Sequence, residues 1–557
     1  MQDYVRSEIA EVFKIYSVLF PGKRIRLLLR EGKDPAIGTA VRMSANMHFD
    51  PADHADGFLG CVERQPDASS AGAYPETVAV RVTIPRRPTH GEATQTEPDW
   101  SPRGRVLRMI YALSPKRYEQ LRYFTERVQE RRSRRHLWSP LQRQIGSQTV
   151  RALERDGVLG ADSNAVTPSE AAPAILVGVH WLEVGGAEAL AFDTIHWALA
   201  AGLRVFVVAS TPAQHRLRDR LPDEVTFLRL DRYLPHGDWP AFLERFLPQE
   251  NVRLIHIHHC TPLYGALAHI RVVAPWVKVI DSTHIIEYAD GGYARVSGVW
   301  TNFIDVHHAI SRQLQQMYVG RFNVPVGKVR LGRMLRRQGD GTEVAAPPPA
   351  RMQAGRDSLA VTFVGRLYYQ KRPVLAVLMM KALAGWARKR NVKLAVNMVG
   401  DGPFAAACDR LVRRYKLHDI VRRFPANADV PALLGQSDLL LLPSSNEGLA
   451  LVCYEAVEHG AIPVSSDVGG QAEIVPPDLL LPREPAKALR RLIEIVDRLW
   501  SDQDFLARQV ETLHRAYSAL ASDPASEDVL MPIYRAAAAE AARTEDRPQA
   551  APKRSNG

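Results

Sequence analysis

The chain has 557 residues, enough for two to four domains, and its 46% hydrophobic and 24% charged content is ordinary for a globular protein. Four widely spaced cysteines without a C-x-x-C pair argue against a disulfide or zinc framework. The first residues lack the apolar core of a signal peptide, and no apolar run approaches the length of a membrane span. We therefore expect a cytoplasmic protein.

Positive charge is concentrated in one part of the chain. The net charge is +11, and residues 101–160 contain 14 Lys and Arg against five Asp and Glu, a surplus of +9. Three interpretations are open: a solvated helix face, a nucleic-acid contact, or an anionic membrane contact in which Tyr118, Leu121, Phe124 and Val128 form an apolar stripe. No nucleic-acid motif accompanies the basic residues, so nucleic acid is not expected. We adopt peripheral contact with the inner face of the membrane as the working interpretation.

Residues 1–170 are predicted to form an accessory α/β region whose role the sequence leaves open. Residues 40–49 and 77–84 alternate apolar and polar side chains, as half-buried strands do. Residues 115–157 form a basic helical segment, and a polar linker follows it.

Residues 172–335 show apolar strands alternating with helices, the pattern of a parallel sheet covered on both faces. A helix is predicted from 187 to 201. This region is therefore expected to be a Rossmann-like domain. Its strands are predicted at residues 174–179, 203–208, 225–230, 252–258, 277–281 and 304–310.

A second α/β domain is predicted at residues 357–525, after a Pro- and Gly-rich linker at 336–356. Residues 526–545 are expected to form a helix that crosses back to the first domain, and residues 546–557 a disordered tail. The strands of the second domain are predicted at residues 359–364, 393–399, 420–424, 439–442 and 462–465.

The most informative stretch follows the strand at 439–442. Glu447 lies in the turn after that strand, Gly448 begins a segment with helical spacing, and Glu455 lies about two turns along it. Turns at the carboxyl ends of parallel strands are where open α/β sheets bind ligands. Two carboxylates placed in this way can hold two hydroxyl-rich parts of one ligand. The alternative is a surface acid and an acid favoured by the helix dipole.

Two further motifs decide between these interpretations. Gly365-Arg366 with Lys371 follows a strand of the second domain, and Gly185-Gly186-Ala187-Glu188 follows the first strand of the first domain. Together with Glu447 and Glu455, these motifs resemble the GT4-type retaining glycosyltransferases of the GT-B fold. The resemblance covers about residues 172–545 and implies two Rossmann-like domains that face each other across a cleft.

The resemblance implies a role for each matching residue. Arg366 and Lys371 would hold the donor diphosphate, Glu447 the transferred sugar and Glu455 the ribose, while His284 would lie near the anomeric centre. The acceptor cleft would include His258 and Glu188. Neither a metal nor a cofactor is expected, since the nucleotide-sugar is a co-substrate. The remaining donor-binding positions are Gly185, Gly186, Gly402, Gly448, Leu449, Ala450 and Leu451.

The sequence departs from the family pattern at several places. Gln370 and Arg372 replace the common Glu and Gly beside Lys371, and Ala450 stands where Gly or Pro is frequent. The turn at 331–334 also differs from the usual Pro-Asn-Gly-Val. These differences leave the details of the substrate and the hinge open.

The resemblance implies a retaining, metal-independent enzyme that moves a sugar from a UDP-, GDP- or ADP-linked donor to a glycan or lipid-linked acceptor, as in synthesis of polysaccharides or glycoconjugates. A catalytically silent protein of the same fold that binds glycans or nucleotides is the main alternative. A phosphorylase or a nucleotide-sugar epimerase is the nearest enzymatic alternative. Donor sugar, acceptor and linkage remain open.

Overall fold

The structure is a computed structural model that describes residues 2–32, 39–42, 57–66, 76–84, 102–137, 168–183, 186–334 and 346–545. Two lobes form its body, an N-terminal lobe (residues 168–334) and a C-terminal lobe (residues 346–525). Several predicted features lie outside the described residues: Gly185, residues 43–49 of the first predicted strand, residues 138–157 of the basic segment, the first part of the linker and the tail at 546–557.

The leading segment, the described residues between 2 and 137, begins with a helix and a four-stranded mixed sheet. The sequence pattern predicts the last of these strands with the observed bounds and the second in part, but it misses the helix, the first strand and the third strand. Only the inner face of the sheet is buried, and Arg and Glu on the outer face obscure the apolar alternation. These elements are α1 (Gln2–Leu19), β1 (Arg24–Glu31), β2 (Thr39–Arg42), β3 (Phe58–Arg64) and β4 (Thr77–Ile84).

This first part of the leading segment packs on the N-terminal lobe. Apolar side chains of α1 and the sheet, including Val12 and Leu27, share one buried cluster with Trp239 of that lobe. A buried ion pair joins Glu8 and Arg232, whose Oε2 and Nη1 atoms are 3.1 Å apart. Burial of this apolar and charged surface makes the described residues between 2 and 84 an extension of the N-terminal lobe.

The second part of the leading segment packs on the C-terminal lobe instead. It consists of α2 (Pro102–Leu113) and α3 (Pro115–Leu137). Tyr118 of α3 is 1% exposed and belongs to the buried apolar cluster that contains the core of the C-terminal lobe. The apolar stripe expected on α3 is therefore wrong in part, since Tyr118 faces the protein, whereas Phe124 is 62% exposed. The described parts of residues 1–170 thus divide between the two lobes.

The N-terminal lobe contains seven parallel strands, and the predicted strand at 252–258 has the observed bounds. The central strands at 174–179 and 252–258 are buried on both faces. The continuous apolar sequence of the first indicates this, whereas the second also buries two histidines. The lobe consists of β5 (Ala174–Val179), α4 (Gly186–Ala200), β6 (Arg204–Ala209), β7 (Thr226–Leu228), α5 (Leu230–Tyr233), α6 (Trp239–Gln249), β8 (Val252–His258), α7 (Thr261–Val273), β9 (Lys278–Thr283), α8 (Gly292–Val299), β10 (Val306–Ala309), α9 (Arg312–Phe322) and β11 (Val329–Leu331). The strand order is β11-β10-β9-β8-β5-β6-β7.

The C-terminal lobe is a second doubly wound unit, with six parallel strands. Its strands lie within two residues of the predicted bounds, apart from a short edge strand that the sequence does not indicate. The lobe consists of β12 (Ser358–Val364), α10 (Pro373–Arg390), β13 (Lys393–Val399), α11 (Ala405–Arg414), β14 (Val421–Phe424), α12 (Val430–Leu434), β15 (Leu439–Leu442), α13 (Leu451–Glu458), β16 (Ile462–Ser466), β17 (Leu480–Leu481), α14 (Pro485–Ser501) and α15 (Gln503–Ala521). The strand order is β14-β13-β12-β15-β16-β17. Two such parallel sheets in tandem constitute the GT-B architecture.

The last helix, α16 (Ser526–Glu545), returns to the N-terminal lobe. Tyr534 belongs to that lobe's buried apolar cluster, and its hydroxyl lies 2.6 Å from Nδ1 of His256 in β8. No helix in the described ranges is both long and apolar enough to span a membrane.

Arg333 joins the two lobes where the chain passes between them. Its side chain is 1% exposed, Nη1 lies 2.6 Å from Glu473 of the C-terminal lobe, and Nη2 lies 2.7 Å from Asp523. Its backbone N–H donates to the carbonyl of Pro524, and its carbonyl accepts from Ser526 at the start of α16. The guanidinium of Arg333 thus joins the hinge to the C-terminal lobe, and its backbone joins the hinge to the start of the crossing helix.

Replacement of Arg333 should destabilise the whole protein. Arg333→Ala removes the buried cation that Glu473 and Asp523 share, and we expect the free energy of unfolding to fall by about 3–5 kcal/mol. Urea denaturation measures this. Arg312 contacts Asp523 as well but is 58% exposed, so Arg312→Ala should change the stability by less than about 1 kcal/mol. Equal effects of the two substitutions would contradict this account of the hinge.

Candidate active site

Two loops from different lobes meet where their strands end. One follows β9 and contains His284, and the other follows β15 and contains Glu447. The backbone N–H of Ile286 donates to the carbonyl of Glu447 over 3.0 Å, and Ile285 and Gly448 form an antiparallel bridge. A side chain at Gly448 has no room, since its Cβ would lie 1.9 Å from the carbonyl oxygen of His284. The structure therefore brings His284 and Glu447 together across the interlobe cleft.

Lys371 pairs with Glu447 at this junction. Nζ and Oε1 are 2.5 Å apart, and the two side chains are only 19% and 7% exposed. The loops that carry them are also joined, because the Gln370 side-chain amide donates to the carbonyl of Asn446 over 3.0 Å and the N–H of Ser445 donates to the carbonyl of Gln370 over 2.8 Å. These contacts fix an ammonium group beside a carboxylate at the end of β12.

Arg366 faces the other lobe. Its guanidinium carbon is 5.7 Å from the ring centre of Trp181, in the loop after β5. The indole N–H of Trp181 donates to Oε1 of Glu188 over 2.7 Å. Burial raises the pKa of Glu188, and the positive charge of Arg366 acts against that shift. Arg366 and Glu188 thus lie on opposite sides of the cleft, near Gly186, which begins α4.

The turn after β13 supports the loop of Arg366 from behind. The N–H of Leu367 donates to the carbonyl of Asp401 over 2.8 Å. Gly402 has a φ of +148°, and a Cβ on it would lie 2.7 Å from the carbonyl oxygen of Leu367. The Asp401 carboxylate accepts from the N–H of Ala426 over 2.8 Å. Gly402 therefore permits close packing of two loops.

The helix after Glu447 begins three residues later than predicted. α13 starts at Leu451, and Gly448, Leu449 and Ala450 remain in the loop because Gly448 is bridged to the other lobe. Glu455 consequently lies about one turn into the helix rather than two. The first N–H groups of α13 lack intrahelical acceptors and follow directly on the loop.

Both predicted acids lie near one thiol. Burial raises the pKa of Cys453 to about 12, the carboxylates of Glu447 and Glu455 act in the same direction, and Lys371 acts against them. Glu455 is half-buried. The four charged residues expected in the C-terminal lobe therefore divide into a group around Cys453 (Lys371, Glu447 and Glu455) and Arg366, which reaches toward Trp181.

His258 and His284 form a buried pair on the N-terminal side. Nδ1 of His258 and Nε2 of His284 are 3.1 Å apart, and their rings are nearly parallel. Burial lowers the pKa of His284 to about 3 and that of His258 well below its usual value. Both rings are therefore neutral at pH 7, and each carries one N–H.

The outer nitrogens of this pair have complementary hydrogen-bonding capacity. Their mutual hydrogen bond uses one donor and one acceptor, so the outer nitrogens, Nε2 of His258 and Nδ1 of His284, supply one donor and one acceptor in either tautomeric arrangement. Neither outer nitrogen has a partner among the residues described. One of these two nitrogens can therefore donate a hydrogen bond and the other can accept one.

Sequence reasoning missed two groups at the junction. The hydroxyl of Tyr288 accepts from the N–H of Gly469 over 2.8 Å, and the N–H of Gly470 donates to the carbonyl of Gly448 over 2.6 Å. A Cβ on Gly469 would lie 2.1 Å from the carbonyl oxygen of Glu447. Gly469-Gly470 follows β16 as Gly185-Gly186 follows β5, so the same doublet signal could have indicated it.

Metal binding is not indicated by side-chain clustering. Within the described ranges, no group of three or more His, Cys, Asp or Glu side chains is arranged to hold a metal ion. Independence from metals stays a prediction.

Two family sequence models match the chain. "Glycosyltransferase Family 4" matches residues 184–332, and "Glycosyl transferases group 1" matches residues 351–511. These ranges correspond to the two lobes.

Curated relatives include a phosphatidylinositol N-acetylglucosaminyltransferase subunit of Arabidopsis thaliana, 25% identical over 47% of this chain and 58% of that protein. The corresponding Homo sapiens protein is 26% identical over 43% of this chain and 48% of that protein. D-inositol 3-phosphate glycosyltransferase of Kineococcus radiotolerans is 27% identical over 53% of this chain and 74% of that protein. The chain spans about half the length of the first two relatives.

Similar solved structures include Anabaena HepE in complex with UDP-glucose, with 16% identity and a TM-score of 0.45 over 67% of this chain and 99% of that chain. Sucrose-phosphate synthase from Thermosynechococcus elongatus has 20% identity and a TM-score of 0.47 over 67% of this chain and 98% of that chain.

The buried histidines should make stability fall in acid. An unfolded histidine binds a proton near pH 6.5, but these five rings resist protonation in the folded state, so the free energy of unfolding should rise with pH between about 4 and 6.5 and level off above about 7. For His308, whose pKa burial lowers to about 4, the contribution approaches about 1.4 kcal/mol per pH unit in the middle of this window. The rings are those of His256, His258, His259, His284 and His308.

Denaturation across this pH range tests the effect. His308→Asn should reduce the slope by up to about 1.4 kcal/mol per pH unit, whereas replacement of His418, which is 63% exposed, is the control on the protein surface. A stability independent of pH between 4 and 6.5 would contradict burial of neutral rings.

Proposed function

Because the chain belongs to the GT4-type glycosyltransferases of the GT-B fold, we propose that it transfers a sugar from a nucleotide-sugar donor to a glycan or lipid-linked acceptor. The observation that carries the proposal is the placement of Lys371 and Glu447 at the interlobe junction beside His284. Arg366 lies on the same side of the cleft and faces Glu188.

The cations match the charge that develops during transfer. Cleavage of the anomeric C–O bond leaves negative charge on the departing diphosphate, which preorganised donors stabilise. Lys371 has three N–H donors and directs one to Glu447. The other two remain for phosphate oxygens, and Arg366 adds a planar guanidinium.

The acids and the imidazoles match the hydroxyl groups of the donor. Oε1 of Glu447 accepts from Lys371, and Oε2 would accept from the transferred sugar. Glu455 would accept from the ribose. The His258–His284 pair would hold one hydroxyl of the sugar or of the acceptor.

The neutral imidazoles also bear on the mechanism. With a pKa of about 3, His284 is a poor general base at neutral pH. The leaving diphosphate would then take the acceptor's proton while the acceptor attacks from the same face, so the anomeric configuration is retained. Glu447 would orient the sugar and would not attack it. No metal is required in this scheme, because Arg366 and Lys371 supply the positive charge.

The acceptor class follows from chemistry and from the relatives. The relatives are named for transfer involving phosphatidylinositol and D-inositol 3-phosphate. The proposed acceptor is accordingly a hydroxyl-rich or lipid-linked molecule, with a role in glycoconjugate or polysaccharide synthesis.

Loss of Lys371 should abolish most of the activity. With UDP-, GDP- and ADP-sugars tested in turn for transfer and hydrolysis, Lys371→Ala should lower kcat/KM about 10²- to 10³-fold on the accepted donor. Glu447→Gln should also impair turnover. Lys389→Ala, which removes an exposed cation from α10, should leave kcat/KM unchanged.

The same assay tests the stereochemistry and the metal requirement. The product should keep the donor's anomeric configuration by NMR, and a chelator should not reduce the rate. Binding of none of these donors to the folded protein would overturn the proposal. If the protein binds a donor but neither transfers nor hydrolyses its sugar, the catalytically silent alternative would be favoured.

The proposal includes peripheral contact with an anionic membrane through α2. Val106, Met109 and Leu113 are 54%, 59% and 71% exposed and lie on one face of this helix. Exposed Lys116 and Arg117 begin α3 beside it. Apolar side chains flanked by cations are the composition that binds at a charged lipid surface.

Vesicle binding tests this contact. The protein should sediment with phosphatidylcholine vesicles that contain phosphatidylserine, less so at high salt. Met109→Glu/Leu113→Glu should weaken binding at least about tenfold. Val326→Glu, at an apolar position 70% exposed elsewhere, should not. Equal binding by both variants would exclude α2 as the contact.

A further inference from the structure

Arg372 adopts an unusual backbone conformation directly after Lys371. Its φ and ψ are +48° and +54°, in the left-handed region that favours glycine. The family pattern commonly has glycine there, whereas this chain has an arginine whose side chain is 2% exposed. A strained, non-glycine residue persists only where its surroundings hold it.

Helix α3 contributes the carboxylate that pairs with the side chain of Arg372. Its Nε donates to Oε2 of Glu119 over 3.2 Å, and Glu119 is 1% exposed. Its Nη1 donates to the carbonyl of Arg483 over 2.8 Å. A buried guanidinium and a buried carboxylate are each costly alone and acceptable as a pair. The donor loop, residues 369–372, contains no acid of its own. The leading segment therefore supplies the carboxylate that pairs with Arg372.

A second residue of α3 contacts the same loop. The guanidinium carbon of Arg122 lies 3.2 Å from the ring centre of Tyr369. Arg122 is half-buried, and stacking on an aromatic face is favourable for arginine. Glu119 and Arg122 are three residues apart and hence neighbours on one face of α3. That face thus engages both ends of the loop.

The loop's four residues divide between two neighbours. Tyr369 and Arg372 contact α3, while Gln370 and Lys371 contact the loop that carries Glu447. The loop lies between them, and its contacts connect α3 to Lys371.

The helix is also connected to the interlobe junction. Glu130 of α3 is 2% exposed and lies 3.3 Å from Nη1 of Arg483. The Arg483 guanidinium carbon is 4.4 Å from the ring centre of Tyr288, whose hydroxyl accepts from Gly469. Residues from the leading segment and from both lobes therefore form one connected group.

We propose that Glu119 is a positioning residue for the donor loop: through Arg372 it holds Lys371 where the donor's diphosphate binds. This inference rests on the proposed function, because it assumes that Lys371 contacts the donor. It assigns to the leading segment, whose role the sequence leaves open, the support of the donor site from the side opposite the cleft.

Nucleotide affinity tests the inference. UDP, GDP and ADP are titrated into the full-length protein at 25 °C, and Glu119→Gln is compared with wild type on the nucleotide that binds. Without the carboxylate, Arg372 loses its charged partner, and we expect the Kd to rise about tenfold, within the usual range of coupling between linked sites. For the transfer reaction, the donor KM should rise with it.

Glu8→Gln is the matched control. Glu8 forms a similarly buried pair with Arg232 of the N-terminal lobe, away from the donor loop in the C-terminal lobe, so Glu8→Gln should lower the Tm as Glu119→Gln does and leave the nucleotide Kd unchanged. The double variant Glu119→Gln/Arg372→Gly is the rescue, because glycine adopts the left-handed conformation without a buried charge. Its Kd should return to within about threefold of wild type.

The outcomes separate the two proposals. If the wild-type protein binds none of the three nucleotides, the proposed function is overturned, and this inference with it. If the wild-type protein binds a nucleotide and Glu119→Gln binds it with the same Kd, only the inference is overturned. If α3 were merely structural, the substitution would lower the Tm without changing the Kd. If Glu119→Gln does not fold, Arg122→Met removes the cation over Tyr369 with little change in volume. An unchanged Kd in Arg122→Met then overturns the inference, and a rise of about threefold supports it.

Discussion

The contact between the His284 loop and the Glu447 loop determines where the site lies. A backbone hydrogen bond from Ile286 to Glu447 and a bridge between Ile285 and Gly448 join two lobes that otherwise fold around separate sheets. Because the contact is made by backbone atoms at a glycine, it fixes the relative position of the side chains on either side. An ammonium, a carboxylate and an imidazole pair come together for this reason.

Buried charge is used in two ways around this contact. Arg333 and Arg372 are buried, paired with carboxylates and directed into the protein, so they hold the hinge and the donor loop in place. Lys371 and Arg366 lie at the cleft, and within the described part of the chain they keep hydrogen-bond donors that no protein group accepts. Pairing offsets the desolvation of the first group. Lys371 and Arg366 therefore remain available to bind an anion. Arg333 and Arg372 determine where those two cations lie.

The sequence predicted the parallel sheets and the site loops because both depend on local patterns. Continuous apolar runs such as 439–442 match buried strands, and charged residues just after them lie at the sheet edge. It could not place the start of α13, because Gly448 is drawn out of the helix by a contact with the other lobe. It also missed the support from α3, since Glu119 and Arg372 are 253 residues apart and only burial of both reveals their pairing.

A structure of the protein with a bound nucleotide-sugar tests the central claim most directly. The account predicts the diphosphate within hydrogen-bond distance of Arg366 and Lys371, with the transferred sugar between Glu447 and His284 and the ribose at Glu455. A donor bound elsewhere, or a diphosphate that contacts neither cation, would contradict it.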